Sequence, residues 1–334
     1  MEIGVEKLLH FPEKTQSILR GYDDLYPCSM TLTLTNQCNA KCSWCSAKSI
    51  RGLLPDKLTR KNLAPLWGDL KTRGTTGITL EGHGEPTLHP EFKGIVQDIV
   101  EAGLEVGLIT NGILYDYEDV SPLFNWIEVS LDAGCVTTYR DTKKVDAFER
   151  VRERVVDMLI DRPGQVTGIG YVVTRRNKDE VSKMITWAQG IGASYFNMRP
   201  VVDAPAQWVG TGGLPETDNY LGMPIINHMR EHSIDGNAGL PCIAHSLSGV
   251  IAADGSVLFC ARLANKYAGT GDFPVIGNIL EQPFHAIWNS QKRWHWARRV
   301  ADRQYTLEHC PACRFTKFNQ VLWRRRNCKT RGFI

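Results

Sequence analysis

Apolar and polar residues alternate along several short stretches of the chain, and a segment of helical length follows almost every one of them. Met30 to Thr35 alternates with a period of two, which is typical of a half-buried strand. The pattern predicts strands at 30–35, 77–81, 105–110, 126–131, 166–174 and 195–200, and helices near 61–73, 90–102, 118–124, 145–160 and 178–190. Strands and helices that alternate over short connections predict a parallel sheet covered by helices.

The last third of the chain follows another pattern. Asp254-Gly255 stands between two apolar alternating runs in the segment 249–260, and this dipeptide is the strongest short-range signal of a β-hairpin. Cys242 precedes the predicted hairpin and Cys260 ends it. We therefore expect a smaller second lobe after the strand–helix units.

Length and composition allow a large α/β domain with such a lobe, because 334 residues can bury a sizeable core. No apolar run reaches the roughly eighteen residues of a membrane span, and the N-terminus lacks the layout of a signal peptide. We therefore expect a cytoplasmic protein without a membrane partner. That compartment keeps thiols reduced, so metal ligation or catalysis is the first interpretation of clustered cysteines.

The formal charge of +3 is unevenly distributed. Residues 314–334 hold seven Lys and Arg and no Asp or Glu, so the rest of the chain is net acidic. Aromatic residues are interleaved with these basic ones, a mixture that suits phosphate contact with base stacking. The alternative is a solvated helix end that docks on the acidic body.

Three thiols lie within eight positions directly after the first predicted strand, at Cys38, Cys42 and Cys45. A 4Fe-4S cluster takes one ligand per iron, so three cysteines leave one iron open to a cofactor or substrate. A structural zinc site is the alternative, but such sites close on four ligands, usually given as two separated pairs. The fourth ligand is not nearby in the sequence.

The spacing Cys-x3-Cys-x2-Cys at the end of a strand resembles the signature of the radical SAM superfamily. The resemblance implies a partial (β/α)6 TIM-like barrel with S-adenosylmethionine on the open iron. In that family the cluster passes an electron to the sulfonium, and the resulting 5'-deoxyadenosyl radical takes a hydrogen atom from the substrate. An electron donor such as flavodoxin or ferredoxin is implied as a partner.

The same resemblance implies where the cofactor is bound. The segment 81–90 is similar to the family's Gly-Gly-Glu-Pro segment, with His83 between its glycines, and polar residues follow the later strands. The implied cofactor contacts are Gly82, Gly84, Glu85, Asn111, Ser130, Asp132 and Arg199. The alternatives are an ordinary Gly/Pro loop, a helix cap for Ser130 and Asp132, and a surface ion pair for Arg199.

Cys135 follows the fourth strand by a few residues. Some relatives that epimerise their substrates use a cysteine as a hydrogen-atom donor to the substrate radical, and the resemblance makes Cys135 a candidate catalytic residue of this kind. Cysteine is also a common small buried residue, which is the alternative.

Cys242, Cys260, Cys310 and Cys313 surround the predicted hairpin and the segment after it. This arrangement resembles the twitch extension, a short relative of the SPASM domain that binds one auxiliary 4Fe-4S cluster. Four thiolates would close that cluster to substrate, so it would move electrons. A closed four-cysteine zinc site is the alternative.

These patterns predict four segments: a lead-in (1–27), the radical SAM barrel (28–205), the twitch domain (206–313) and the basic tail (314–334). We expect an enzyme that oxidises, rearranges or epimerises a small carbohydrate-type metabolite. One alternative is an isomerase acting on a modified base in DNA, as in viral base hypermodification, with the tail on the phosphates. Another is a non-catalytic iron-sulfur or zinc protein that binds nucleic acid.

Overall fold

Six parallel strands, adjacent in sequence order, form the centre of the structure. The computed structural model describes residues 4–21, 26–114, 119–201, 212–229, 240–310, 313 and 315–328. The strands are β1 (Ser29–Leu32), β2 (Gly77–Leu80), β3 (Glu105–Thr110), β4 (Trp126–Ser130), β5 (Val166–Val173) and β6 (Tyr195–Pro200). Each pairs in parallel with the next, which confirms the predicted sheet and the partial barrel.

Helices cover the outside of this sheet and build much of the C-terminal part. They are α1 (Pro12–Arg20), α2 (Lys48–Arg51), α3 (Arg60–Thr72), α4 (Phe92–Glu101), α5 (Val136–Lys143), α6 (Phe148–Asp161), α7 (Val181–Gly190), α8 (Ala261–Lys266), α9 (Phe284–Trp288), α10 (Gln291–Ala301), α11 (Arg303–His309) and α12 (Thr316–Arg326). The helix predicted near 118–124 is wrong over its described part, where a 3-10 turn spans Ser121–Leu123. Only Phe124 and Asn125 lie between this turn and β4, too few to continue a helix.

The period-two pattern explains which side chains face the helices. Met30 and Leu32 of β1, like Ile78 and Leu80 of β2, are buried in the main apolar core. Helix α3 presents Leu63, Leu66 and Leu70 to the same core, with an i, i+3, i+7 spacing. The residues between them on each strand point to the opposite face, the interior of the barrel.

The predicted hairpin is confirmed, and it extends the barrel sheet. Strands β9 (Ser248–Ile251) and β10 (Ser256–Leu258) are antiparallel, and β9 pairs in parallel with β1. Strand β11 (Val275–Asn278) follows β10 on one edge, while β8 (Met223–Asn227) and the short β7 (Asn219–Tyr220) follow β6 on the other. The auxiliary lobe therefore shares its sheet with the barrel in the described part of the chain.

The two ends of the chain pack together beside this lobe. Leu8 and Ile18 from the N-terminal segment share a small apolar cluster with Leu322 of α12. The basic segment thus includes a docked helix, with Lys317, Arg324 and Arg325 exposed on it. Nucleic-acid binding by residues 314–334 stays a prediction, and Arg314 and 329–334 lie outside the described residues, as does the predicted boundary at 205–206.

Helices that could cross a membrane are absent from the described residues, since none is both long and apolar enough.

Candidate functional site

The loop with the three cysteines is held in place by the end of α5. The backbone N–H of Lys41 donates to the carbonyl of Lys143 at 2.9 Å, and that of Ser43 donates to the carbonyl of Thr142 at 2.9 Å. The last carbonyl groups of a helix have no partner inside the helix. The loop satisfies two of them, and in return α5 fixes the loop at the C-terminal edge of the barrel.

The three thiols of this loop are half-buried and electrostatically coupled. Burial raises the pKa of Cys42 to about 11, and the neighbouring thiols of Cys45 and Cys38 contribute to the rise while the ammonium of Lys143 opposes it. The guanidinium of Arg51 donates to the Cys45 sulfur at 3.4 Å. Sulfur donors beside two cations suit an anionic iron-sulfur cluster with one thiolate per iron.

In the part of the chain that the structure describes, no three His, Cys, Asp or Glu side chains are arranged for a single metal ion. The loop thiols are nevertheless close enough to interact electrostatically.

The glycines after β2 allow two loops of the site to touch. A Cβ on Gly84 would overlap the carbonyl oxygens of Thr35 and Gln37, which lead into the cysteine loop. Gly82 has φ +136°, and a Cβ there would overlap the Thr33 hydroxyl. The backbone N–H of Glu85 donates to the Gln37 carbonyl at 2.8 Å. Side chains at either glycine would push the segment away from the loop.

The Glu85 carboxylate binds the protein itself. It accepts hydrogen bonds from the Thr110 hydroxyl at 2.7 Å, the Thr87 hydroxyl at 2.9 Å and the Asn111 N–H at 2.8 Å. Burial raises the pKa of Glu85, although these hydrogen bonds lower it in part. The side chain joins the ends of β2 and β3. Its predicted contact with a ligand ammonium group stays a prediction.

Asn111 directly follows the last residue of β3, and its predicted cofactor contact stays a prediction. Its side-chain amide donates to the Asn39 side-chain oxygen at 2.7 Å and lies 3.9 Å from the Cys38 sulfur. The end of β3 therefore contacts the first cysteine of the loop directly.

Ser130 and Asp132 meet Lys143. The Lys143 ammonium donates to the Ser130 carbonyl at 2.8 Å and forms an ion pair with Asp132. Asp132 is only 1% exposed, and its other oxygen accepts from the Val172 N–H at 2.6 Å. Its contacts lie within the chain, so the structure favours a structural role, and its cofactor contact stays a prediction.

The Arg199 guanidinium forms an ion pair through one of its nitrogens. Its guanidinium donates to Glu128 at 2.5 Å inside the barrel, where Asn197 also donates to Glu128 at 2.9 Å. The surface ion pair suggested by the sequence is an interior one. The predicted binding of a ligand carboxylate by Arg199 would have to share the guanidinium with Glu128.

Cys135 caps the other end of α5. Its thiol lies 3.3 Å from the Thr138 hydroxyl and 3.3 Å from a Glu180 carboxylate oxygen. These contacts are away from the cysteine loop, which meets the opposite end of the same helix. A role as hydrogen-atom donor stays a prediction.

Three residues of the site escaped the sequence analysis. Lys143 and Glu128 are buried and Arg51 is half-buried. Each of the three has a partner outside its own helix or strand. The sequence does contain a signal for Glu128, because a carboxylate within the apolar strand 126–131 is buried and buried carboxylates are nearly always paired.

The second cysteine group also comes together. Burial raises the pKa of Cys242, and the thiols of Cys313, Cys260 and Cys310 raise it further. Burial likewise raises the pKa of Cys310 to about 12, with Cys260 and Cys313 contributing. Asn319 of α12 accepts from the N–H of Ile243 at 2.8 Å, which fixes the segment beside Cys242. Four neighbouring thiols fit a cluster whose irons are all ligated by protein.

His83 provides a test of the packing around the glycines. Burial, aided by Arg51, lowers the pKa of His83 to about 4. Unfolded chains take up this proton near pH 6.5, so they bind more protons than the folded protein between pH 6.5 and 4, and stability falls as the pH drops through this window. Gln does not titrate, so we expect the free energy of unfolding of His83→Gln to fall by about 1–3 kcal/mol less over this window than that of the wild type. Urea unfolding of the metal-free protein at several pH values measures it.

The matched control for this prediction is the exposed His10. His10→Gln should leave the pH dependence as in the wild type. Equal acid sensitivity of His83→Gln and the wild type would contradict the assignment.

Comparisons with known proteins agree with this geometry. The family model of the radical SAM superfamily matches residues 32–188, and that of SPASM, an iron-sulfur cluster-binding domain, matches 242–314. A probable GTP 3',8-cyclase of Saccharolobus islandicus is 31% identical over 175 residues, which are 51% of this chain and 55% of that protein. An AdoMet-dependent heme synthase of Methanosarcina barkeri is 26% identical over 312 residues, which are 85% of this chain and 87% of that protein.

Among solved structures, Streptococcus suis SuiB bound to S-adenosylmethionine superposes with a TM-score of 0.64 at 13% identity, over 88% of this chain and 73% of that chain. This likeness shows the fold alone. The match with the cyclase spans about half the length of that relative. The two family models, in contrast, cover both cysteine groups. The chain therefore carries a radical SAM domain, which implies a 4Fe-4S cluster and S-adenosylmethionine, followed by a SPASM-type iron-sulfur cluster-binding domain.

Proposed function

We propose that this chain is an enzyme that cleaves S-adenosylmethionine reductively and removes a hydrogen atom from a small polar substrate. Cys38, Cys42 and Cys45 would hold the first cluster, and Cys242, Cys260, Cys310 and Cys313 the auxiliary one. The observation that supports it is the meeting of the three-thiol loop with the ends of β2 and β3 at one edge of the barrel. Bound there, the cluster and its cofactor supply the radical chemistry.

The residues of this chain would orient the cofactor and shield it. The backbone around Gly82 and Gly84 lies against the cysteine loop without intervening side chains. Asn111 reaches the Cys38 sulfur, and Arg51 reaches both the Cys45 sulfur and the His83 carbonyl. These contacts connect the thiols to the segment predicted to bind the cofactor. The cysteine loop and that segment would therefore keep a fixed position relative to each other.

A small carbohydrate-type metabolite remains the proposed substrate, with oxidation, rearrangement or epimerisation as the outcome. The curated relatives bear the names of a GTP cyclase and a heme synthase, and both names favour a small molecule over a base in DNA. The polar side chains inside the barrel favour a polar substrate.

The proposal is tested by anaerobic reconstitution followed by iron and sulfide counting and a reductant assay. We expect about eight iron atoms per chain, as two 4Fe-4S clusters require, and release of 5'-deoxyadenosine. Zinc in place of iron, or an intact cofactor after reduction, would contradict it.

The auxiliary cluster can be tested separately. Cys260→Ala removes one of four neighbouring thiols, so we expect the iron content to fall from about eight to about four atoms per chain. Cleavage of the cofactor should persist, because the three-thiol loop is untouched. Cys328→Ala is the matched control and should keep both clusters. If Cys260→Ala kept about eight iron atoms, the ligand assignment would be wrong.

A further inference from the structure

One guanidinium connects the cysteine loop with the glycine segment after β2. Arg51 is the last residue of α2, and its Nη2 donates to the Cys45 sulfur at 3.4 Å while its Nε donates to the His83 carbonyl. The other donor to a loop thiol in the described part of the chain is the neutral amide of Asn111, 3.9 Å from the Cys38 sulfur. Arg51 is therefore the charged donor to these thiols.

Packing fixes the position of this guanidinium. Ile50, the residue before it, is fully buried in an apolar cluster with Val250 and Leu258 of the hairpin. The backbone N–H of Arg51 donates to the Ala47 carbonyl at 3.0 Å. The helix turn is thus anchored on the auxiliary lobe, and the side chain reaches from there to the cysteine loop.

Arg51 carries a charge that no carboxylate neutralises among the described residues. Its side chain contacts a sulfur and a carbonyl oxygen, whereas Arg60 and Arg140 on the surface pair with Asp98 and Asp146. Arg51 is also half-buried, so water screens its charge only in part. The negative charge closest to its guanidinium would be a thiolate at Cys45.

The other cation at the loop is already compensated. The Lys143 ammonium forms a buried ion pair with Asp132, and the pair as a whole is neutral. Its net effect on the neighbouring Cys42 is therefore small, since the two opposite charges lie close together. Arg51 contributes a full positive charge to the loop, and it does so through a direct hydrogen bond.

Such a donor has a known physical effect on an iron-sulfur cluster. The reduction potential of a cluster depends on its net charge, on hydrogen bonds to its sulfurs and on its exposure to solvent. Reduction adds one electron from a one-electron reductant, and no atom or proton has to move at Cys45. A charge-assisted hydrogen bond stabilises the more negative, reduced state more than the oxidised one.

We propose that Arg51 raises the reduction potential of the cluster held by Cys38, Cys42 and Cys45. It acts through the Cys45 sulfur, so it is a positioning residue and not a catalytic one. Its hydrogen bond to the His83 carbonyl keeps the guanidinium in place. This inference rests on the proposed function and adds to it the residue that makes the first cluster easier to reduce.

The test is a redox titration of the reconstituted full-length protein, followed by electron paramagnetic resonance. The first cluster is recognised as the one whose signal changes when S-adenosylmethionine is added. Arg51→Met keeps most of the aliphatic stem and removes the charge and both hydrogen bonds. We expect its reduction equilibrium to shift about ten- to a hundredfold toward the oxidised state, which lowers the midpoint potential by about 60–120 mV. The potential of the auxiliary cluster should stay unchanged.

Two further variants keep the test decisive. Lys48→Met removes an exposed cation from the same helix and should shift the equilibrium less than about twofold. Arg51→Lys keeps the charge but loses the planar fork, so it should lower the potential by less than Arg51→Met does. It also replaces Arg51→Met in the test if that variant binds no iron.

The outcomes separate this inference from the proposed function. An unchanged potential in the iron-loaded fraction of Arg51→Met, or of Arg51→Lys in its place, would overturn the role of Arg51 even if the iron content fell. An equal shift in Lys48→Met, or an equal shift of both clusters, would also overturn it. If no signal responded to S-adenosylmethionine in the wild type, the proposed function would fail and this inference with it.

Discussion

Replacing Cys42 by alanine should abolish the first cluster and all reductive cleavage of S-adenosylmethionine. Cys42 is the middle thiol of the loop, and its sulfur is coupled to both other thiols. With only two protein thiolates, the cluster would have two irons without a protein ligand instead of one. We expect iron to fall from about eight to about four atoms per chain and 5'-deoxyadenosine to fall below detection. Iron analysis and chromatography of the reaction mixture measure both.

The control for this prediction is a buried thiol outside both groups. Cys28 packs in the small apolar cluster shared by the two ends of the chain. Cys28→Ala should keep the full iron content and the cleavage reaction, although it loses some packing. If Cys42→Ala still released 5'-deoxyadenosine, the loop would not be the site of the chemistry, whatever metal it held.

Much of the barrel was predictable because its strands carry their own pattern. Strands β3 and β6 have the predicted bounds, since Glu105–Thr110 and Tyr195–Pro200 are short extended runs between turn signals. Local alternation cannot reveal which distant strands pair. The pairing of β9 with β1 joins residues more than two hundred positions apart. It therefore appeared only in the structure.

Helix α5 shows a second limit. Val136–Lys143 is mostly polar and has no clear apolar stripe, so periodicity did not indicate a helix there. Its importance comes from tertiary contacts, because its last carbonyl groups hold the cysteine loop. The loop thiols were predictable from spacing alone, whereas the support beneath them was not.

The residues predicted to contact the cofactor also differ in how much of their role the sequence reveals. Glycines are recognisable because a close backbone approach needs them, and Gly82 and Gly84 lie against Thr33 and against the backbone that leads into the cysteine loop. Their predicted contact with the cofactor stays a prediction. Carboxylates are ambiguous because they can bind a ligand or the protein. Glu85 and Asp132 both bind the protein, and their partners could not be read from neighbouring residues.

The ion pair beneath the cysteine loop should be the largest single contribution to stability that a charge makes in this region. Lys143 and Asp132 have side chains that are 3% and 1% exposed. Burial alone would lower the pKa of Lys143, but Asp132 and Cys42 together raise it above its usual value. Lys143→Met leaves the Asp132 carboxylate buried without its cation, which typically costs about 3–5 kcal/mol. The urea midpoint of the metal-free protein should fall accordingly.

A double variant distinguishes the lost ion pair from the lost hydrogen bond between Lys143 and the Ser130 carbonyl. Lys143→Met combined with Asp132→Asn has no buried charge, so it should recover most of the stability lost by Lys143→Met alone. The neighbouring Lys144 is exposed, and Lys144→Met should change the free energy of unfolding by no more than about 0.5 kcal/mol. Because α5 holds the loop, Lys143→Met should also bind iron more weakly than the double variant. If both variants were equally unstable, the hydrogen bond from Lys143 to the Ser130 carbonyl, which both variants lose, would support the loop rather than the ion pair.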